Sequence, residues 1–283
     1  MIKPLRRVLI KRPEDAFISQ AFMDENYKKF NFTSSVNLKE AIKEHAEFER
    51  LLRDNVEEVL CLPKDDLGSI DSIYTHDCVK VTPKGAIYMP MGKALRAREK
   101  EATRAFLENL GLPTLGEIKA PAKIEAGDII FLNDLCLIGR GFRTNDAGIA
   151  EFKKLTQGLF KEYIIFQLPI ALGEDECLHL MSVLSMVDLD KALVFYEYMP
   201  VAMKDLLDSL KITQIEINRA EYDALASNAL CLKPGKIIMP NTAPRVKDIL
   251  SSLGVEVLTY KGDEISFKGT GGPTCLTCPV LRG

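Results

Sequence analysis

Five polar residues that could carry chemistry recur at a nearly constant interval along the chain. The intervals are 51, 51, 49 and 47 residues, and the positions are Asp77, Asp128, His179, Asn228 and Cys275. Two carboxylates in a closed site can bind a cation, and a cysteine near a histidine can attack an electrophilic carbon. If the interval reflects a structural repeat, these side chains converge on one cavity.

A short hairpin pattern begins near each of these residues. Two apolar runs bounded by Gly, Pro or Asp predict paired strands, and a helix-like segment follows, as in "IYTHDCVKVTPKGAIYMPMG" and "RAREKEATRAFLENLG". The unit occurs four times, and a unit of this length cannot bury its apolar face alone, which indicates a solenoid or a propeller-like ring. We therefore predict one α/β domain over residues 1–283, in which the terminal patterns "RRVLIKRP" and "TCLTCPV" share one unit.

The composition favours a small-molecule partner. The 283 residues carry a formal net charge of −3 and no run of Lys or Arg, which argues against nucleic acid. No stretch approaches the ~20 apolar residues of a membrane span, so we expect no membrane partner. Seven widely spaced cysteines do not form a disulfide framework, which predicts a reducing, cytoplasmic compartment. We interpret five of them as buried hydrophobes: Cys61, Cys78, Cys136, Cys177 and Cys231.

Five short motifs in order give the sequence a family resemblance. "YTHD", "EAGD", "GFRTN", "CLHLMS" and "GGPTCLT" are similar to motifs of the guanidino-group modifying superfamily, which includes arginine deiminases, amidinotransferases and dimethylarginine dimethylaminohydrolases. The resemblance extends from about Val8 to Cys278. It implies a five-bladed, pseudo-symmetric α/β propeller (a pentein) whose central site hydrolyses the guanidinium of an arginine derivative, with no cofactor or metal.

The resemblance also implies a role for each site residue. Cys275 would attack the guanidinium carbon, and His179 would transfer protons to the leaving amine and from water. Asp77, and by the repeat Asp128, would hold the guanidinium N–H groups. Further substrate contacts are expected from Asp71 to the amino group, from Arg96 and Arg143 to the α-carboxylate, and from Phe22 and His76. Phe22 belongs to the polar segment 19–35, which we interpret as a lid.

Met181 bears on the choice among family members. Arginine deiminases and amidinotransferases typically have an Asp two residues after the histidine, whereas dimethylarginine hydrolases lack it, so Met181 favours a dimethylaminohydrolase-like enzyme that gives citrulline and an amine. His76, "EAGD" and Thr270 depart from the usual family pattern. An arginine deiminase, an arginine dihydrolase or an amidinotransferase acting on another guanidino substrate therefore stay as alternatives.

A hypothesis from another class is a binding module without catalysis. The same ring resembles a ribosome anti-association factor, but such a module would not need Cys275 and His179 in one cavity, so the enzyme is favoured. A homodimer stays open as a further expectation. His45 lies in the helical pattern "NLKEAIKEHAEFERLLRD" and is expected on its solvated face.

Overall fold

Fifteen strands form five sheets of three strands each in the computed structural model, which describes residues 2–67, 69–174 and 178–283. The strands are Leu5–Ile10 (β1), Glu58–Cys61 (β2), Val79–Thr82 (β3), Gly85–Tyr88 (β4), Thr114–Glu117 (β5), Ile129–Leu132 (β6), Leu135–Arg140 (β7), Glu162–Gln167 (β8), Leu184–Met186 (β9), Lys191–Val194 (β10), Thr213–Glu216 (β11), Leu230–Lys233 (β12), Lys236–Pro240 (β13), Glu256–Tyr260 (β14) and Cys278–Arg282 (β15).

Helices connect the strands within each sheet. The α-helices of the described residues are Pro13–Ala16 (α1), Gln20–Asn26 (α2), Leu38–Arg53 (α3), Glu99–Asn109 (α4), Asp146–Leu155 (α5), Leu180–Val183 (α6), Val201–Ser209 (α7), Arg219–Asp223 (α8) and Pro244–Ser252 (α9). None of the helices in the described ranges combines the length and the apolar character needed to cross a membrane.

Every sheet follows the same plan, which confirms the α/β class. An antiparallel pair comes together with a third strand that lies parallel to the middle strand, as with β3, β4 and β5. A parallel neighbour needs a crossover connection, and α4 supplies it here. The sequence patterns predicted the hairpins and the helices, but the four-residue third strand β5 was missed because so short a run has no clear period.

The first sheet combines strands from opposite ends of the sequence. β15 lies antiparallel to β1, with Val8 opposite Pro279, and β2 lies parallel to β1 on its other side. The apolar pattern "TCLTCPV" had suggested that Cys275 belongs to the last strand. The strand begins only at Cys278, so Cys275 lies in the turn before it.

His45 is buried, whereas the sequence pattern had predicted a position on the solvated face of its helix. It lies on α3 but is only 1% exposed, packed edge-on against Phe48, and burial lowers its pKa to about 4. The short π-helix Asp263–Phe267 packs against α3, and Glu44 of α3 accepts the backbone N–H of Glu264. Of the cysteines interpreted as buried, Cys78, Cys136 and Cys231 are buried and Cys61 is half-buried, whereas Cys177 lies outside the described residues.

The five repeat residues lie just before the first strand of their hairpins. Asp77 precedes β3, Asp128 precedes β6, His179 precedes α6 and β9, Asn228 precedes β12, and Cys275 precedes β15. Hydrogen bonds join each hairpin start to the next and the last to the first. These bonds are Ala126 N to Asp77 O, Leu180 N to Asp128 Oδ1, Ser185 Oγ to Ser227 O, Thr274 N to Asn228 Oδ1, and His76 N to Cys275 O.

Candidate active site

A cavity of about 490 Å³ lies at this circuit of hairpin starts. Four of the five repeat residues line it, namely Asp77, His179, Asn228 and Cys275. Three of the expected substrate contacts also line it, and these are Asp71, Arg96 and Arg143. Side chains that are far apart in sequence are therefore brought to one cavity because equivalent turns of different sheets meet there.

Cys275 is half-buried in the cavity wall and its sulfur faces an amide. Asn228 Nδ2 donates to Cys275 Sγ at 3.0 Å, and Asn228 Oδ1 accepts the backbone N–H of Thr274 at 2.9 Å. A donor at this distance stabilises the anionic form of a thiol. Gly272 is required beside them, since a Cβ there would lie 2.6 Å from Asn228 Cγ. The "GGP" sequence thus allows the Cys275 turn to approach Asn228 closely.

His179 is held by a carboxylate that the sequence analysis missed. Its Nε2 is 2.7 Å from Glu125 Oε2, and the other carboxylate oxygen of Glu125 accepts the backbone N–H of Gly92 at 2.6 Å. Burial opposes ionisation of Glu125, but the hydrogen bond and charge of His179 outweigh it, so the pKa of Glu125 is lowered. The imidazole packs on Gly127, where a Cβ would lie 2.6 Å from Nδ1.

Asp77 is the second buried carboxylate beside His179. Its Oδ2 accepts Arg96 Nη1 at 3.1 Å, and the side chain is about 5% exposed. Burial raises the pKa of Asp77, but the charges of His179 and Arg96 lower it more, so the pKa is below its ordinary value. An ionised carboxylate in a closed cavity attracts a cation with N–H donors.

Asp128 does not face the cavity as the repeat had predicted. One carboxylate oxygen accepts Thr144 Oγ1 at 2.6 Å and the other accepts the backbone N–H of Leu180 at 2.9 Å. Burial raises the pKa of Asp128 to about 6, although the charge of His179 and these two hydrogen bonds oppose the rise. Asp128 fixes the loop that carries His179 through its bond with Leu180. The carboxylate that contacts the His179 ring is that of Glu125, three positions earlier. The helical turn Ala126–Asp128 lies between the two side chains.

His76 and Phe22 also differ from their expected positions. His76 is buried, its Nδ1 lies 3.0 Å from Thr277 O, and desolvation lowers its pKa to about 4, so it is a neutral core residue. Phe22 is half-buried and packs on the apolar core near Phe17. From the segment 19–35, the aromatic residue in the cavity wall is Phe30.

Arg96 lines the cavity but its guanidinium faces protein groups. Besides Asp77 it contacts Glu99, with Nε 2.9 Å from Oε2, and Nη2 donates to Tyr74 O at 2.9 Å. Arg143 is closer to a substrate-facing position, with Nη1 3.6 Å from Glu125 Oε1 and a side chain 13% exposed. Asp71 forms an ion pair with Lys93 at 2.6 Å, and the sequence analysis did not single out Lys93.

Met181, which had favoured the methylated substrate, lies in the apolar core. It packs with Leu180 and Val183 and is 9% exposed, whereas Ser182 of the same helix lines the cavity. The absence of an Asp at this position therefore does not place an apolar side chain beside the substrate.

The charged floor of the cavity could hold a cation. Ligand atoms of Asp77, Glu125 and His179 lie within 4.8 Å of one another, a spacing that suits a metal ion. Asp77, which lines the cavity, also suits a planar guanidinium, which carries one positive charge and several N–H donors. Cys275 in the same wall adds a nucleophile, which a structural metal site does not need.

Comparison with known proteins agrees with this site. The family model described as N,N dimethylarginine dimethylhydrolase, eukaryotic, matches residues 12–282. The chain is 26% identical over 279 residues to the Bacillus subtilis protein YkgA, covering 99% of this chain and 93% of that protein. It is 25% identical to N(G),N(G)-dimethylarginine dimethylaminohydrolase of Pseudomonas aeruginosa, covering 84% and 87%.

More distant relatives share the fold. The chain is 28% identical to arginine deiminase of Mycobacterium marinum over 67% of its own length, but it spans only 55% of that enzyme. Among solved structures, dimethylarginine dimethylaminohydrolase from P. aeruginosa in complex with citrulline superposes with a TM-score of 0.78, at 22% identity over 97% of this chain and 99% of that chain. The N-terminal domain of ArgZ, a cyanobacterial arginine dihydrolase, gives 0.81 at 18% identity over 98% and 97%.

These matches confirm the resemblance inferred from the five motifs and the expectation of an enzyme, and they give no support to the non-catalytic alternative. The chain belongs to the N,N-dimethylarginine dimethylhydrolase family, within the guanidino-group modifying superfamily of amidine-hydrolysing enzymes.

Proposed function

We propose that this protein hydrolyses the guanidinium group of an N-methylated arginine, giving citrulline and a methylated amine through a covalent intermediate on Cys275. One observation carries the proposal: Cys275, His179 and Asp77 come from three different hairpins and line the same cavity, with Glu125 hydrogen-bonded behind His179. A guanidinium is resonance-stabilised and resists water, so a sulfur nucleophile is an effective way to open it.

Asp77 binds and orients the substrate cation before attack. Its ionised carboxylate accepts N–H groups of the guanidinium, and the buried position strengthens that interaction because little water competes. Asn228 holds the sulfur by its Nδ2 donor, which fixes the direction of attack.

The first half of the reaction forms a carbon–sulfur bond and breaks a carbon–nitrogen bond. The thiol proton of Cys275 passes to His179, and the thiolate attacks the guanidinium carbon. The resulting tetrahedral adduct expels the methylated amine, which takes the proton from His179 as it leaves. Glu125 accepts from Nε2 and stabilises the transient imidazolium.

The second half returns the enzyme to its starting state. A water molecule gives one proton to His179 and bonds to the carbon of the thiouronium intermediate. The carbon–sulfur bond then breaks, and the thiolate regains its proton from His179. The hydroxyl on the carbon releases its remaining proton through solvent to the expelled amine, which ends as an ammonium ion. The product is the urea group of citrulline. The substrate guanidinium itself supplies the positive charge beside Asp77, so neither half calls on a metal ion.

Preference for the methylated substrate rests on the family match rather than on Met181. The matched model covers almost the whole chain, and the Pseudomonas relative that carries the dimethylaminohydrolase name is covered over 87% of its length. Arginine deimination is the second candidate, favoured by the mycobacterial arginine deiminases that match part of the chain.

A substrate panel separates these candidates. The purified protein is incubated with dimethylarginine, monomethylarginine, arginine, agmatine and guanidinoacetate, and both the released amine and the urea-type product are measured. We expect the highest kcat/KM for the methylated arginines, with citrulline and amine released in equal amounts. Faster turnover of free arginine would assign an arginine deiminase, and ornithine as product would assign a dihydrolase. No turnover of any of the five would reject the proposal.

A further inference from the structure

We propose that Lys93 is a specificity residue that, together with Asp71, binds the zwitterionic head group of an α-amino acid substrate. The inference deepens the proposed function and rests on it, since it concerns the end of the same substrate that does not react. It assigns to Lys93 a share of the carboxylate contact that the family resemblance had given to Arg96 and Arg143, while Asp71 keeps the amino-group contact that the resemblance implied.

Lys93 stands at the cavity wall with part of its binding capacity unused. Its Nζ lies 2.6 Å from Asp71 Oδ2 and 2.5 Å from Phe30 O. A lysine ammonium has three N–H donors, so these contacts occupy two, and the third has no partner among the described residues. The Lys93 side chain is 20% exposed and lines the cavity, so a ligand can reach this donor.

Arg96 has no comparable capacity. Its guanidinium is 6% exposed and donates to Asp77, to both oxygens of Glu99 and to the backbone carbonyl of Tyr74. Turning it towards a substrate carboxylate would leave Asp77 and Glu99 as buried charges without their partner, which is strongly unfavourable. Arg96 is therefore a positioning residue for Asp77, and the cations left to the head group in the cavity wall are Lys93 and Arg143.

The charges of the Lys93–Asp71 pair are complementary to the two charges of an α-amino acid head group. An α-amino acid carries its ammonium and its carboxylate on the same carbon, and the pair presents an anion and a cation 2.6 Å apart. The substrate ammonium can donate to Asp71 while the carboxylate accepts from Lys93, so all four charges are compensated. Agmatine has no carboxylate and gains only half of this interaction.

The pair also couples the head group to the segment 19–35. Phe30, whose carbonyl accepts from Lys93, belongs to that segment, and its ring is 5.7 Å from Nζ. A carboxylate on the third donor adds charge-assisted bonding to the same ammonium. Head-group binding thereby reinforces the hydrogen-bonded group formed by Lys93, Asp71 and the backbone carbonyl of Phe30.

Replacement of Lys93 tests the assignment. In Lys93→Met we expect KM for the best amino acid substrate to rise by about 10- to 100-fold, the loss typical of a charged hydrogen bond, while kcat changes little. Lys93→Arg restores most of the affinity because the charge is kept. The matched control is Lys119→Met, which removes a lysine whose side chain is 74% exposed at a strand end. An unchanged KM in Lys93→Met overturns the proposal.

Two further measurements keep this test independent of turnover. In the Cys275→Ser background, the Kd of citrulline should rise by a similar factor on adding Lys93→Met, whether or not the correct substrate has been found; an equal Kd overturns the assignment. Labelling of Cys275 by 2-chloroacetamidine, which has no head group, should keep its rate in Lys93→Met. If the rate falls with the affinity, or if Lys93→Gln loses the fold and the labelling together, Lys93 supports the structure rather than the head group.

Discussion

Asp77 and Asp128 stand at equivalent places in neighbouring hairpins and have opposite electrostatic surroundings. Asp77 faces the cavity beside His179 and Arg96, and its pKa is lowered. Asp128 is enclosed by Thr144 and the backbone of Leu180, and burial raises its pKa to about 6. Burial alone therefore does not mark a functional acid. The charge of His179 lowers the pKa of both carboxyl groups, so the contact with Arg96 and access to the cavity distinguish Asp77 from Asp128.

The same contrast separates the two cysteines of "CLTC". Cys275 lines the cavity and accepts from Asn228, whereas Cys278 is 1% exposed in β15 and burial raises the pKa of its thiol strongly. The two cysteines of one short sequence motif thus lie in different surroundings, one in the cavity wall and the other in the core. The predictions below test whether cavity-facing and enclosed groups differ as this comparison requires.

The largest difference is expected between serine variants of the two cysteines. Cys275→Ser should lower kcat by at least ~10³-fold, since an alcohol is a far weaker nucleophile at neutral pH. Cys278→Ser should keep kcat within about twofold and lose about 1–3 kcal/mol of unfolding free energy, because a hydroxyl replaces a buried thiol. Steady-state kinetics and urea unfolding measure both. Comparable kcat losses in the two variants would contradict the division.

Replacing the two carboxylates near His179, Glu125 and Asp128, should likewise lower kcat in one variant and mainly stability in the other. Glu125→Gln removes the anion that stabilises the imidazolium, and kcat should fall by about 10²- to 10³-fold with a changed pH profile. Asp128→Asn keeps one acceptor for the His179 loop, so the effect should be about 1–2 kcal/mol of stability, with a smaller loss of kcat. If Asp128→Asn shifted the pH profile and Glu125→Gln did not, the roles assigned here would be reversed.

The smallest effect concerns the buried groups that do not face the cavity. His45 and His76 have folded pKa values of about 4, below the ordinary 6.5, so unfolding takes up protons below pH 6.5 and stability falls as pH decreases towards 4. Asp128 acts in the opposite direction, since its raised pKa gives stability that is lost as pH rises through 6. The net loss from these three groups between pH 7 and pH 5 should be about 2 kcal/mol.

His76→Gln provides the corresponding test. It should reduce the loss of stability between pH 7 and pH 5 by about 2 kcal/mol, because one of the two groups that gain a proton on unfolding is removed. Urea unfolding at the two pH values gives the difference directly. An unchanged pH dependence would show that His76 is already protonated in the folded protein.

The sequence predicted the repeat better than the side-chain directions. Residue spacing located the turns that meet at the cavity, because equal spacing follows from equal units. It could not distinguish Glu125 from Asp128, since a short helical turn between them decides which side chain points inwards. Phe22 was chosen instead of Phe30 because both belong to one polar segment, whose hydrophobic pattern does not show which aromatic side chain faces the cavity. Lys93 escaped notice because an isolated lysine has no signature until its partners are known.

The pairing of β1 with β15 ties Cys275 to a contact between opposite ends of the described chain. Val8 lies opposite Pro279, four residues beyond Cys275, so the sulfur reaches the cavity only when segments from opposite ends of the sequence have joined. Loop closure over such a separation is entropically unfavourable and is compensated only when the surrounding sheets are formed. A partly folded chain would accordingly keep its thiol away from Asp77 and His179, and reactivity would appear together with the native state.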